Sequence, residues 1–296
     1  MIFNQANLQT LRTMFSGLFK KGRSKATPKF SILATPVAST TKTTTFGFFS
    51  EMPILREWIG DKRIKSLEER AYILVNRDFE GSVKIKVTDI EDDNLGLFPA
   101  SVEDWGTEVE QWPERLLTAA LIAGNAVPCY DNQNFFDASH PNFDEAGTTY
   151  SNNNTVGTVQ AWYLVDLSKA IKPLIMQTRK PPRFWMTNSV EDSIVAETGK
   201  ICLWAEARGN AGYSMPFLAY RSTATPNAAN FVAARDAMAA FVDENGEPRG
   251  IKATHIVYGT SNRAAIEDLI KKMNLAGGES NVHWNEVECL YSERLP

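Results

Sequence analysis

Cys129, Asp131, Asp137 and His140 fall in one short run, PCYDNQNFFDASHP. On paper they supply a thiol, an imidazole and two carboxylates. Those are the groups of a cysteine-dependent hydrolase, in which a histidine takes the thiol proton and a carboxylate orients the ring. Closeness along the chain does not make such a site, because the partners are recognised by geometry and by an environment that generates a thiolate. A loop histidine beside Pro141 is the plainer reading.

A second run, DIEDDNLG from Asp89 to Gly96, has the oxygen donors of a calcium loop. That loop needs oxygen ligands at positions 1, 3 and 5, glycine at 6 and glutamate at 12. Starting at Glu91 puts Leu95 at position 5 and Val102 at 12; starting at Asp89 puts Asn94 at 6 and Ala100 at 12. Neither register works. Carboxylates just ahead of a long apolar-periodic segment instead fit the positive end of a helix. No GxxxxGK[ST], HExxH or GxSxG occurs, and RGNAGY at Gly209 and Gly212 does not complete GxGxxG. Cys129, Cys202 and Cys289 form no CxxC pair, so neither a zinc site nor a disulfide framework is expected. His255 reads as packed in a strand and His283 as part of a terminal loop. No cofactor or metal is expected, and a chain of this size without a site points toward assembly.

The elements around these residues begin with NQANLQTLRTMFSGLFKKG, where Leu8, Leu11, Phe15 and Leu18 recur at spacings of three and four, an amphipathic helix stopped by Gly22. A polar linker, KKGRSKATPK, and an extended Thr- and Phe-rich stretch follow. Together they predict an arm that reaches a neighbouring subunit. From Met52 to Asp89 the pattern predicts a projecting hairpin of AYILV and SVKIKV joined through NRDFEG, with Val83, Ile85 and Val87 on one face. A two-stranded hairpin is marginal alone, so another subunit would have to cover that face.

From Pro99 to Gly124 a long helix is expected, with Val102, Trp105, Val109, Trp112, Leu116 and Ala120 on its buried side. Its tryptophan stripe reads as core, and Pro113 predicts a bend or break near Trp112. Between Pro128 and Tyr220 short strand-like runs predict mixed sheet, with GTTYSNNNTVGT as a loop and TRKPPRF as an extended spacer. The last quarter reads as a small α/β layer in which helix, strand, helix and strand succeed one another.

Length allows one large domain or two ordinary ones. The longest apolar runs, such as LLTAALIAG, fall short of the ~18 residues of a membrane span. No signal-peptide layout is visible at the N-terminus, so a reducing cytoplasmic compartment is expected. The formal net charge of -4 hides an asymmetry: residues 1–50 carry seven basic and no acidic side chains, the rest 24 basic and 35 acidic. A basic arm of this kind binds nucleic acid or lies across an acidic neighbour. With few aromatics near its charges, a protein neighbour is the better expectation.

The runs ANLQTLRTMFSGLFKKG, MPILREWIGDKR, NRDFE, IEDDNLG, PCYDNQNFFDASHP, LSKAIKPLIMQTRKPP and AANFVAARDAMAAF, in that order, resemble the Mu-like phage major head subunit family, often called gpT. The chain departs from that pattern mainly in the Asn-rich insert after Tyr150. The resemblance implies an α+β fold of the Hong Kong 97 type. Its parts would be an N-terminal arm over 1–45, an extended hairpin loop over 46–90, a peripheral domain with a spine helix over 91–221, and an axial domain over 222–296.

It further implies a non-enzymatic major capsid protein. Such a protein self-assembles into the icosahedral head shell of a Mu-like tailed bacteriophage or prophage and encloses double-stranded DNA. The partners it implies are further copies of the chain in pentamers and hexamers, scaffold, portal and decoration proteins, and DNA packaged without sequence recognition. No membrane is involved; the protein would assemble in the host cytoplasm and end in the virion. Candidate inter-subunit contacts are Leu8, Leu11 and Phe15 on the arm, Arg56, Glu57, Trp58, Lys62 and Arg63 on the hairpin loop, and Val83, Ile85 and Val87 on its strand. The alternatives are a cellular nanocompartment shell of the same fold and, from a different class, the Cys129 hydrolase.

Overall fold

The side chain of Asn4 accepts the Asn7 N–H and so starts helix α1 (Gln5–Lys25), whose last turn carries Arg23 and Lys25. The computed structural model describes residues 3–49, 69–92, 97–143, 146–243, 246–275 and 277–296. Its further helices are α2 (Val87–Glu91), α3 (Phe98–Glu110), α4 (Trp112–Ala123), α5 (Ser193–Thr198), α6 (Ala228–Ala239) and α7 (Arg263–Lys271). The first strands are β1 (Ala34–Ala38), β2 (Thr43–Phe49), β3 (Glu69–Val75) and β4 (Arg77–Lys86). After α4 come three two-residue strands, β5 (His140–Pro141), β6 (Thr149–Tyr150) and β7 (Asn153–Asn154). The remainder are β8 (Trp162–Val165), β9 (Leu174–Met186), β10 (Lys200–Tyr213), β11 (Ala219–Ser222), β12 (His255–Tyr258) and β13 (Glu288–Tyr291).

The periodic face of α1 does not project. Leu8, Leu11, Phe15 and Phe19 are buried with Val102 of α3, Ile85 of β4 and Ile201 and Leu203 of β10 in one apolar cluster. Two glycines allow the close approach. A Cβ on Gly22 would lie 1.8 Å from the Glu103 carbonyl oxygen, and one on Gly106 would lie 2.2 Å from that of Phe19. Thr107 Oγ1 donates to the Gly22 carbonyl at 3.0 Å. The basic end of the helix meets α3 as well: Lys21 and Lys25 both reach Glu103, and Arg23 Nε lies 2.6 Å from Glu110. The acidic neighbour expected for the arm is therefore the chain's own helix. Leu8, Leu11 and Phe15 are core residues here, because burying them is worth roughly 1.5–3 kcal/mol each and α3 and the sheet supply the cover.

Strands β1, β9, β10 and β4 form a sheet in that order, with β1 parallel to β9 and the other pairs antiparallel. The expected hairpin between AYILV and SVKIKV is absent. β4 pairs with β10 along its whole length, Ile85 opposite Ile201 and Val83 opposite Leu203, while β3 pairs antiparallel with β2 from Thr43↔Val75 to Phe49↔Glu69. Buried Asn76 separates the two strands and is held by Ser39, the Thr41 carbonyl and Gln177. Ile85 is thus core and not an interface residue, Val87 is half-buried in α2, and Val83 is 47% exposed. The ribbon is β2–β3 rather than 46–90. Arg56, Glu57, Trp58, Lys62 and Arg63 lie outside the described residues.

The long helix is broken where Pro113 predicts. α3 ends at Glu110 and α4 starts at Trp112, with Gln111 between them as the cap of both. Proline cannot donate to the ladder, so the helix restarts with Pro113 in its first turn. Trp112 is buried. The acidic run does not cap α3, whose first turn holds no carboxylate and whose N-cap, Leu97, makes no side-chain bond. Asp89 instead lies in the first turn of α2 and Asp92 at its end; positions 93–96 lie outside the described residues.

A second sheet has the order β13-β12-β8-β11-β7. The boundary expected at 221/222 falls within β11, and the sheet takes β7 and β8 from the stretch assigned in sequence to the peripheral domain. Residues of β8, β12 and β13 (Tyr163, Val165, Val257, Leu290) share a core with Leu174, Ile175 and Met176 of β9, while α6 and α7 cover the other face. TRKPPRF is no spacer but part of β9. Its prolines follow Thr178, where the pairing with β1 ends, and sit at register shifts against β10, the kind of place a strand tolerates proline.

Candidate functional site

The fold brings Cys129, Asp131 and His140 together, all buried. Cys129 Sγ donates to Asp131 Oδ1 at 3.0 Å, and His140 Nδ1 lies 2.7 Å from Asp131 Oδ2. The carboxylate therefore stands between the sulfur and the ring, a different oxygen to each. Burial, then the charge of Asp131, pushes the Cys129 thiol far up, so no thiolate is available. Burial alone would raise the Asp131 carboxyl, but bonds from His140 and Cys129 outweigh it and hold the group below the usual carboxylate range. This arrangement lacks the nucleophile–base contact of a cysteine hydrolase.

The three residues are metal-ligand types whose donor atoms lie within 4.8 Å of one another, yet both Asp131 oxygens are already committed to separate protein donors. Asp137 stays outside the cluster, its carboxylate accepting the Ser139 N–H. His255 and His283 pair with Glu288 and Glu286, far along the chain from it.

The surface features are more extensive. On β3, Tyr72 and Leu74 turn inward: Tyr72 Oη accepts the Tyr213 N–H at 3.3 Å and packs over Gly212. Ile73 and Val75 turn outward, 59% and 44% exposed. Under the ribbon runs a groove of about 660 Å³ bounded by Tyr72, Leu74, Leu116, Ala120, Val127 and Tyr213. A second groove, about 440 Å³, lies at the break between α3 and α4 and is lined by Phe79, Gly81, Trp105, Val109, Trp112 and Leu116. Met273, Leu275, Val282 and Trp284, on the loop after α7, are also exposed.

Of the sequence-derived contacts, only Val83 is found exposed among the described residues, and Val87 half-exposed. The outward faces of β3 and of the loop after α7 were missed. The signal for β3 was present, since AYILV is apolar on both sides of the strand, which a half-buried strand is not. No helix among the described residues is long and apolar enough to cross a membrane.

Comparison with known proteins agrees with this architecture. The family model for the Mu-like prophage major head subunit gpT matches residues 8–295. The major capsid protein of Escherichia phage Mu is 32% identical over 295 residues, 97% of this chain and 96% of that protein. The Mu-like prophage FluMu major head subunit of Haemophilus influenzae is 33% identical over 273 residues, covering 88% and 89%. Among solved structures, the procapsid of bacteriophage JBD30 superposes with a TM-score of 0.85 at 34% identity, covering 99% of this chain and all of that one. The JBD30 capsid gives 0.80 at 28% identity, with 92% of each chain covered. The fold is the α+β phage capsid fold of the Hong Kong 97 type. This chain belongs to the Mu-like major head subunit gpT family, the major capsid proteins that form the phage head shell.

Proposed function

We propose that copies of this chain close the shell by laying the β2–β3 ribbon of one copy across the next, in pentamers and hexamers. The observation that carries the reading is the ribbon itself: β3 is fixed to its own body through Tyr72 and Leu74 while Ile73 and Val75 face outward, a surface suited to apolar cover from an adjacent copy. Repeated head-to-tail contacts of this kind close into rings and then into an icosahedron. Of the candidate contacts between β2 and β3 in sequence, Arg56, Glu57, Lys62 and Arg63 would set register by charge and Trp58 would add apolar cover, with Val83 and Val87 at the rim.

In this reading the first sheet with α1, α3 and α4 is the peripheral part, and the second sheet with α6 and α7 the axial part. The chain is structural rather than catalytic and works with scaffold, portal and decoration proteins in the host cytoplasm. One relative's capsid is described as decorated with minor capsid protein trimers, which supports a decoration partner here. The shell holds DNA without reading its sequence; in support, Lys21, Arg23 and Lys25 at the basic end of α1 are engaged by Glu103 and Glu110.

The test is Ile73→Asp, a carboxylate that would be desolvated without a partner at such a contact. Circular dichroism should report a folded subunit, and sedimentation should show loss of closed shells; wild-type shell yield would overturn the ribbon's role. Nucleic acid inside purified wild-type particles supports a genome container, and protein cargo alone would favour a nanocompartment.

A further inference from the structure

The geometry points to a clamp built on a buried ion pair: His140 carries a proton on each ring nitrogen and, as a cation paired with Asp131, ties the exit of α4 to the edge of the second sheet. The argument starts from Asn152, fully buried like His140. Its Nδ2 donates to the carbonyls of Phe135 at 2.8 Å and Pro216 at 2.9 Å, and its Oδ1 accepts the Asp137 N–H at 2.9 Å. Flipping the amide would set donor against donor and oxygen against two carbonyls, so the orientation is fixed. Oδ1 then faces His140 Nε2 at 3.2 Å. On the other side of the ring, Nδ1 faces the Asp131 carboxylate at 2.7 Å.

Both ring nitrogens thus meet acceptors. A neutral imidazole has one bare nitrogen, and either tautomer would press a lone pair against an oxygen in a fully buried site. Two protons satisfy every atom. The carboxylate is completed by the Cys129 thiol and the Gln133 N–H, both on Oδ1, which meets the condition that a buried pair have its remaining lone pairs filled.

The titratable and charged groups facing the ring are Asp131 and Cys129 from the turn after α4 and Tyr150 from β6. Tyr150 stacks on the ring at 5.1 Å and 24° and presents an aromatic face to a cation. Burial keeps the Tyr150 hydroxyl neutral, with Tyr130 and Arg249 the next groups out. Arg249 lies over Phe217 and donates to the Val242 carbonyl. Through Asn152, whose carbonyl accepts the Arg221 N–H of β11, the ion pair fixes the exit of α4 and the edge of the second sheet to one another.

Magic-angle-spinning NMR of the full-length protein, with nitrogen-15 in the histidine rings, tests the proposal at neutral pH. His140→Gln identifies the resonance among the three histidines; should that variant not fold, the signal that moves in Asp131→Asn does so. We expect both His140 nitrogens to bear protons in the wild type. Asp131→Asn should remove one, because the new amide can donate to Nδ1. A wild-type ring with one bare nitrogen, or one bound to a metal, overturns the ion pair. Hydrogen exchange supplies the second readout: Asp131→Asn should lose protection in residues 128–154 while α3 and β9 keep theirs. Unchanged protection in that segment, or loss across the whole chain, overturns the clamp.

Discussion

Helix α1 and strand β3 read alike in the sequence in one respect: each belongs to a segment expected to lay apolar side chains on a neighbour. The structure separates them. α1 has one apolar face, and that face is satisfied at home, where Gly22 and Gly106 let two backbones touch and Glu103 and Glu110 collect the basic end. β3 has two apolar faces and can satisfy only one, through Tyr72 and Leu74. The difference teaches that a segment is available for assembly when its own chain runs out of surface to cover it. The presence of an apolar face alone does not distinguish the two cases.

Breaking the contrast begins with α1. Phe15→Ala leaves a cavity in the cluster around Leu8, Val102 and Ile201 and should cost about 3–5 kcal/mol in denaturant unfolding of dissociated subunits. A loss below about 1 kcal/mol would show that the helix is not part of the fold's core. The ribbon should behave the opposite way. Ile73→Asp, on an outward position, should shift subunit stability by no more than about 0.5 kcal/mol, although it prevents shell closure; a large loss would place Ile73 in the core.

The smallest effect concerns Glu103. Bonds from Lys25 and then Lys21 hold its carboxyl below the usual glutamate range. A lowered folded value means that the contribution is complete above the unfolded value of about 4.3 and is lost as pH falls through the folded one. Wild type should therefore melt above Glu103→Gln near neutrality, and the two should converge in acid. Melting curves that stay parallel across that range would mean the pairing does not dock α1.

Local features were legible: the helical spacing of Leu8, Leu11 and Phe15, and the break at Pro113. What was hidden is non-local. Alternation in SVKIKV says which side chains share a face, but not that β10, more than a hundred residues later, is the partner. Gly22 reads as a helix stop, but α1 continues to Lys25, and the glycine's role, close approach to α3, shows only when Gly106 is opposite. The polar cluster was half visible, since Cys129, Asp131 and His140 are neighbours in sequence. Asn152, which fixes the ring, sits in the Asn-rich insert that reads as plain loop.

The parallel pairing of β1 with β9, Ala34 opposite Leu174, has a consequence in time. A ribosome adding roughly 5–20 residues per second releases the first strand long before the second exists, an interval on the order of ten to thirty seconds. During that wait β1 has no sheet to join, and neighbouring nascent chains offer the same unpaired edges. Contacts so distant along the chain also make folding slow. The order of events is then constrained: each chain must complete its own sheet before its ribbon meets another's, or association would trap unfinished subunits.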